Sequence, residues 1–234
     1  MRQNSEVVGR ERWTGRIVRW KAPAERDSPE DLILRAGAET LSDQELLAAL
    51  LGVDVTSAEQ LLELHAGELG RLFSAGSGAA VSLSPVCRAR FLATRELACR
   101  LAAERVPESD PLKRPEDLAR YLNLRYSLRD QEILGALFLS SSSRVLQHSE
   151  IYRGALSRTC AEPREILKQA LLVGAAGIIL FHNHPGGDPA PSLEDHAFTQ
   201  LFGQAATLLG IPLLDHLILG SAGRWISMRD VAAW

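Results

Sequence analysis

"GIILFHNHPGGDPAPSLEDH", residues 177–196, joins an apolar run to a segment crowded with histidines, acidic residues, prolines and glycines. The apolar half predicts a buried β-strand, because a short uncharged run of large side chains is typical of a strand covered on both faces. Pro185 cannot donate to a β-ladder, so the strand should end beside it. The glycines and prolines that follow predict a turn that leads into a new helix.

His182 and His184 stand two residues apart at the end of this strand, so both side chains should leave the same face. Asp195 lies in the first turn of the next helix, three residues after Ser192. Two imidazoles and one carboxylate can therefore converge on one point and leave a fourth tetrahedral position open. Three protein ligands and an open position are typical of a catalytic zinc site. Zinc would activate a water and polarise a carbonyl, as amide hydrolysis requires.

Each part of this pattern also has an ordinary interpretation. Ser192 and Asp195 form an S-x-x-D sequence that predicts a helix capping box without any metal. A single histidine at a strand end is usually only hydrogen-bonded. The joint pattern, H-x-H-P followed after six residues by S-x-x-D, is expected by chance in only about 10⁻⁵ to 10⁻⁴ of chains this long. This joint pattern favours the metal site.

Around this stretch, strand-like and helical segments alternate. We predict an α/β (α+β) sandwich, since strands alternating with helices usually form a sheet with helices packed on it. The predicted elements are a β-hairpin in "EILGALFLSSSSRVLQHSEIY", helices in "EPREILKQALLVGAA" and "SLEDHAFTQLFGQAATLLG", and strands in "GIILFHNH", "LLDHLILG" and "GRWISM".

The first part of the chain predicts short helices instead. Ser42 with Glu45, and Ser57 with Gln60, read as capping boxes, and a longer helix should start near Pro85. The segment "ERVPESDPLKRP" has the proline-rich, charged composition of a linker. The predicted organisation is therefore a basic tail over 1–28, a small helical domain over 29–104, a linker over 105–114 and the α/β domain over 115–234.

Composition places the chain among folded soluble proteins, with 46% hydrophobic and 24% charged residues and a net charge of −3. Neither a transmembrane segment nor a secretory signal is recognisable, which favours the cytoplasm. Three widely spaced cysteines argue against a disulfide framework or a thiolate zinc site. Residues 1–26 of the tail carry seven basic and three acidic residues, with Trp13 and Trp20 among them. It could contact nucleic acid or an acidic partner, or simply be a solvated disordered tail.

At His182, His184, Ser192 and Asp195 the sequence resembles the JAMM (MPN-plus) metalloprotease motif of the RadC-like bacterial family. The resemblance extends to "PREILKQAL", to the threonine of "AFTQ" and to "LLDHLILG", and covers nearly all of residues 113–234. The family usually has a serine where this chain has Gly186, a turn position that is not a ligand. The resemblance implies the JAMM/MPN-type, cytidine-deaminase-like fold, a mixed sheet flanked by helices.

The resemblance also implies site residues. His182, His184 and Asp195 would be zinc ligands, and Ser192 would donate a hydrogen bond to the metal site or to the developing oxyanion. The motif does not locate the general base, for which the candidates are Glu132, Glu150, Glu162 and Glu165. Glu132 is our first choice, because the family's glutamate precedes its first strand and a glutamate there can be partly desolvated near the metal. Glu165 is second, although it could simply be a first-turn helix acid.

Two further histidines near the motif have open roles. His196 should point away from the site and lie on the surface or behind the ligands. Asp215 and His216 match a family block, and they could support the metal site from behind or form a structural pair in a strand.

RadC-like proteins typically carry an N-terminal region that resembles a helix-hairpin-helix, and residues 29–104 look similar in order and length. In this chain the hairpin glycines are replaced by Ser82 and Ser84, and Cys87 stands where a basic residue is expected, although Arg88 and Arg90 are close. Serine lacks the backbone freedom that lets glycine approach a phosphate. We therefore expect DNA binding by this region to be weak or lost, with a docking or structural role instead.

Two functions are consistent with the sequence. The first is a zinc-dependent metallopeptidase or isopeptidase of the JAMM type that hydrolyses an amide bond of a peptide or protein with a zinc-activated water. The second is a DNA-associated binding protein, related to repair or recombination, whose metal site is structural or vestigial. A zinc nucleobase deaminase is set aside, because that class needs H-x-E with a later P-C-x-x-C, and the chain has no such cysteine pair.

Overall fold

The structure is a computed structural model that describes residues 28–72, 83–107, 110–127, 129, 131–154 and 162–231. The chain divides into two compact units, residues 1–96 and 97–234. The predicted basic tail lies outside the described residues apart from Ser28, which caps the first helix.

The first unit is helical, as predicted. Its helices are α1 (Pro29–Ala36), α2 (Asp43–Leu51), α3 (Val55–Glu63), the single turn α4 (Leu69–Leu72), and the first half of the long helix α5 (Pro85–Arg105). Large apolar side chains from these helices form one buried core that includes Leu51, Leu61, Leu72 and Phe91. The core explains why short helices persist here, since helices of this length gain most of their stability from packing.

One predicted cap is confirmed and the other is wrong. The Ser42 backbone N–H donates to Glu45 Oε2 at 2.8 Å in a complete capping box at the start of α2. Helix α3, however, begins three residues earlier than predicted, and its cap is Asp54, which accepts from Ser57 N at 2.9 Å. An aspartate caps a helix as well as a serine does, and "DVTS" offers the aspartate first.

The second unit contains a five-stranded sheet in the order β2-β1-β3-β4-β5. The strands are β1 (Ile133–Leu139), β2 (Val145–Arg153), β3 (Gly177–Asn183), β4 (Leu213–Leu219) and β5 (Trp225–Ser227). Only β3 and β4 run parallel, and the β1–β2 pair is the predicted hairpin. The mixed α/β fold class predicted from the sequence is therefore confirmed.

Helices cover both faces of this sheet. They are α6 (Pro115–Leu122), continued by a π-helical turn (Asn123–Ser127), then α7 (Pro163–Leu172), α8 (Leu193–Leu208) and the short α9 (Met228–Val231). Alternate residues of β3 enter two different cores. Ile178 and Leu180 pack with residues of α7 and α8, whereas Ile179 and Phe181 pack with residues of α6 and the π-helical turn. The strand is thus buried on both faces, as its continuous apolar sequence predicted.

The division between the units falls inside α5, between Glu96 and Leu97. The predicted boundary was the proline-rich segment that begins at residue 105, where α5 ends. The linker at 105–114 stays a prediction. No helix in the described ranges is both long and apolar enough to cross a bilayer.

Gly135 in β1 yields a prediction about the sheet core. It lies opposite Phe181 of β3, and a Cβ added to it would approach the Phe181 ring to 2.1 Å. We expect Gly135→Ala to lower the free energy of unfolding by about 1–3 kcal/mol, because a close-packed core must shift to admit a methyl group. Urea denaturation followed by circular dichroism measures the change.

Gly186→Ala is the matched control. A Cβ at Gly186 meets nothing within 4 Å, so its stability should stay within about 0.5 kcal/mol of the wild type. Equal stabilities for the two variants would show that the Phe181 ring does not lie over Gly135.

Candidate metal centre

Two histidines are delivered to one point by the end of β3. His182 is in the strand, paired with Leu134 of β1 on one side and Ile218 of β4 on the other. His184 follows the strand, and its backbone N–H donates to Leu219 O at 2.9 Å. The two Nε2 atoms lie 2.9 Å apart. The prediction that the two side chains leave the strand on the same face is confirmed by this distance.

Asp195 brings a carboxylate to the same point from the first turn of α8. Its Oδ1 lies 3.1 Å from His182 Nε2, and its Oδ2 lies 3.4 Å from His184 Nε2. The capping box is present as well, because Ser192 N and Ser192 Oγ both donate to Asp195 Oδ2, at 2.8 and 2.6 Å. The same carboxylate therefore closes the helix cap and faces the two histidines.

Glu132 is the fourth member of the cluster. It immediately precedes β1, and one oxygen of its carboxylate lies within 4.8 Å of the ligand atoms of His182, His184 and Asp195. The structure places the other glutamates considered for the general base in exposed ion pairs. Glu150 pairs with Arg153, while Glu162 and Glu165 both pair with Arg164.

Asn183, which the sequence reasoning did not single out, holds the segment that carries Glu132. Its side chain is fully buried, and its Oδ1 accepts from Ile133 N at 2.7 Å. Its Nδ2 donates to Gln131 O at 3.2 Å. One amide therefore clamps the peptide groups on both sides of Glu132. The available signal was a polar residue inside an otherwise apolar strand, since buried amides are kept where they are hydrogen-bonded.

The electrostatics of the cluster favour a bound cation. Burial alone would raise the pKa of the Asp195 carboxyl, but hydrogen bonds with His182, His184 and Ser192 hold that pKa well below its usual range. The carboxylate in turn raises the pKa of His184. Asp195 is 4% exposed and stays ionised. A buried charge of this kind is stable only when it is paired or binds a metal.

The ring of His184 is oriented by the loop after β3. Its Nδ1 lies 2.7 Å from Asp188 O, and a carbonyl oxygen can only accept, so Nδ1 carries the proton. Nε2 is therefore the ring nitrogen that faces the cluster. The loop itself is held by Gly187 O, which accepts from Ser221 N at 2.9 Å and from Arg224 at 2.8 Å.

Asp215 and His216 could either support the cluster from behind or form a structural pair, and the structure gives the two residues different positions. His216 is fully buried, and its Nε2 lies 2.8 Å from His182 Nδ1, directly behind a member of the cluster. Burial lowers the pKa of His216 well below its ordinary value, so its ring is neutral. Asp215 instead accepts from Ser227 Oγ at 2.9 Å and from Arg229 N at 3.3 Å, in a structural network. His196 is exposed, as expected.

The residues considered for DNA binding are partly described. Ser82 lies outside the described residues. Ser84 precedes α5 and accepts from Cys87 N at 3.3 Å, which is the bond of a helix cap. Arg90 donates to Leu51 O at 3.0 Å, while Arg88 is exposed. Ser84 and Arg90 are thus occupied in holding the helical unit together.

The cluster can hold a metal ion. Zinc–nitrogen and zinc–oxygen bonds of about 2.0–2.2 Å in a tetrahedron separate neighbouring ligand atoms by roughly 3.3–3.6 Å. The ligand atoms of His182, His184 and Asp195 are 2.9–3.4 Å apart. Two imidazole nitrogens and a carboxylate are also the donor set that zinc accepts.

Comparison with known proteins identifies the family of the chain. The model of the RadC-like JAB domain matches residues 112–233. A UPF0758 protein of Chloroflexus aurantiacus is 36% identical over 220 residues, which cover 87% of this chain and 92% of that protein. A UPF0758 protein of Herminiimonas arsenicoxydans is 39% identical over 203 residues, covering 83% of this chain and 91% of that protein. The chain belongs to the family of proteins with a RadC-like JAB domain.

Proposed function

We propose that the protein is a zinc-dependent metallopeptidase or isopeptidase that hydrolyses an amide bond in a peptide or protein. The observation that carries the proposal is the convergence of Glu132, His182, His184 and Asp195 within 4.8 Å. Three of these side chains are suited to hold zinc, and the fourth, Glu132, places a carboxylate beside them that can act as a base. This division is typical of a hydrolytic site, since a structural zinc site uses all four positions for ligands.

His182, His184 and Asp195 would hold the zinc ion. When bound, zinc would supply Lewis acidity, which lowers the pKa of a coordinated water to about 7 and polarises the substrate carbonyl. With both histidines bound through neutral rings and Asp195 ionised, the three ligands would carry one negative charge. A zinc ion held by them would keep a net positive charge and so remain electrophilic.

Glu132 acts as the general base in this proposal. Its carboxylate takes a proton from the attacking water as the new C–O bond forms, and returns it to the amine as the C–N bond breaks. The same group serves both steps because the proton that it accepts is the one the leaving amine needs. The Asn183 clamp on the neighbouring peptide groups keeps the carboxylate in reach of the cluster.

Ser192 would donate to the oxyanion that develops on the substrate carbonyl. In the structure its hydroxyl donates to Asp195 Oδ2 at 2.6 Å. Ser192 N donates to the same oxygen at 2.8 Å, so the carboxylate keeps a donor when the hydroxyl turns to the substrate. A donor aimed at the developing charge stabilises the transition state more than the ground state.

Zinc content is the first measurement. We expect about one zinc per chain in the wild type, little in His184→Ala and full retention in Glu132→Gln, because a base is not a ligand. Elemental analysis after gel filtration gives the ratio. The control is His196→Ala, which removes an exposed histidine of the same helix turn as Asp195 and should keep its zinc.

Absence of zinc from the wild type even after reconstitution would overturn the proposal, and so would zinc that survives in His184→Ala. The hypothesis of a DNA-associated binding protein would then lead. It has its own measurement, which is salt-dependent retention of the full chain on DNA.

Hydrolysis itself is tested with a library of quenched fluorescent peptides. Zinc-loaded wild type should cleave members of the library, and Glu132→Gln should lower kcat by about 10²–10⁴-fold at unchanged zinc content, since that is the usual contribution of a general base. Equal activity of the two proteins would exclude Glu132 as the base. A zinc-loaded wild type that cleaves neither peptides nor side-chain amide conjugates would count against peptidase activity.

The Asn183 clamp predicts a loss of activity without a loss of metal. We expect Asn183→Ala to lower kcat about tenfold or more with zinc content unchanged, because Glu132 loses its support while the ligands do not. The variant should also be destabilised by about 1–3 kcal/mol, the cost of unpaired buried backbone groups. Ser127→Ala is the control. It removes another buried bond, from Ser127 Oγ to Asn123 O at 2.6 Å, and should lose stability but keep kcat.

A further inference from the structure

A continuous chain of buried hydrogen bonds runs behind the cluster from α8 to β3. Thr199 Oγ donates to Asp195 O at 2.6 Å, one turn back along its own helix. The same Oγ lies 2.6 Å from His216 Nδ1. On the other side of its ring, His216 Nε2 lies 2.8 Å from His182 Nδ1. Thr199, His216 and His182 are each at most 1% exposed, so water does not compete for these bonds.

The donors and acceptors in this series of hydrogen bonds follow one consistent direction. A carbonyl oxygen can only accept, so the Thr199 hydroxyl gives its single proton to Asp195 O. Thr199 Oγ must then accept from His216, which places the His216 proton on Nδ1. In a neutral imidazole the other nitrogen is an acceptor, so His216 Nε2 accepts from His182 Nδ1. His182 Nδ1 therefore carries a proton, and Nε2 is the ring nitrogen that faces the cluster.

We propose that Thr199 and His216 are positioning residues that fix the tautomer of His182, so that its Nε2 is always available as a metal ligand. The metal part of this inference rests on the proposed function, whereas the direction of the hydrogen bonds does not. His182 has no carbonyl partner of the kind that Asp188 gives His184. It sits inside the sheet, where a buried side chain must supply the acceptor. His216 is that acceptor, and Thr199 keeps it in the accepting tautomer.

The arrangement also links the ligands to one another. It begins at the backbone of Asp195 and ends at His182, whose Nε2 lies 3.1 Å from Asp195 Oδ1. The helix ligand and the strand ligand are thus joined twice, once through the cluster and once through Thr199 and His216. A metal-ligating imidazole usually donates its second N–H to a carboxylate, a backbone carbonyl or water. Here the acceptor is a second imidazole, which can accept this hydrogen bond only in the tautomer that leaves its Nε2 unprotonated.

The tautomers are measured directly in the metal-free full chain. Two-bond nitrogen–proton couplings in ¹⁵N-labelled protein distinguish the two neutral forms of each imidazole. We expect protons on Nδ1 of His182, His184 and His216. A proton on Nε2 of His216, or a doubly protonated His216 at neutral pH, would overturn the proposal, because either state turns His182 Nδ1 into an acceptor.

Zinc affinity gives the second readout, measured by competition with a chromophoric chelator. Thr199→Val keeps the shape but removes the hydroxyl, and we expect it to weaken zinc binding about 10–100-fold, the usual effect of losing the support behind a ligand. Thr199→Ser should restore binding to near the wild-type value. His216→Phe should weaken binding at least as much, and His216→Gln, whose amide oxygen can accept from His182, should recover part of the loss.

Ser227→Ala controls for loss of structure. It removes the bonds from Ser227 Oγ in β5 to the carboxylate of Asp215, which precedes His216 in β4. The His216 ring itself is not touched. The variant should lower the unfolding midpoint but leave zinc affinity unchanged. Equal zinc affinity of Thr199→Val and Thr199→Ser would overturn the proposal. If no variant and no wild type binds zinc, the proposed function fails, while the couplings still decide the tautomer.

Discussion

The negative charge of Asp195, buried at the start of α8, is the interaction on which the site depends. A buried carboxylate is costly unless its oxygens are hydrogen-bonded or bind a cation. Here Ser192 holds it from the helix terminus, and His182 and His184 face it from the strand. Both imidazoles turn Nε2 towards the carboxylate, so three groups that can bind a cation meet at 2.9–3.4 Å. Such an arrangement is stabilised by a cation, and the fold is built to keep the three groups from separating.

Asp195 also shows how one side chain can satisfy two constraints that appear to compete. A capping carboxylate must point back to the helix start, and a ligand must point to the strand. In α8 both directions coincide, because the helix begins where β3 ends. Oδ2 accepts from Ser192, and Oδ1 is left for His182. The cap therefore fixes the rotamer of Asp195, so a cation that bound there would cost this side chain little entropy.

Local sequence patterns predicted the helices and strands. The roles of several buried polar residues depend on contacts that are distant in the sequence, and local patterns could not predict them. The apolar run before His182 and the capping box at Ser192 are local, and both elements form where expected. The predicted cap of α3 was wrong because two candidates three residues apart, Asp54 and Ser57, have similar preferences for the N-cap position. Asn183 was missed because its partners lie about fifty residues earlier in the chain. For the same reason, the different roles of Asp215 and His216 could not be separated from spacing alone.

Three consecutive residues, the last two of β3 and the one that follows it, have three different roles. The pleat of the strand points the side chains of neighbouring residues to opposite faces of the sheet. His182 shares its face with Ile178 and Leu180, towards α7 and α8, and meets Asp195 and His216 there. Asn183 shares the opposite face with Phe181 and reaches across to the segment that holds Glu132. His184 lies beyond the strand, where the loop can orient it. A slip of one residue in the pairing of β3 would exchange the two faces. It would turn the amide towards Asp195 and the imidazole towards Ile133. The register of β1, β3 and β4 therefore determines which of these side chains meet as strictly as the identity of the residues does.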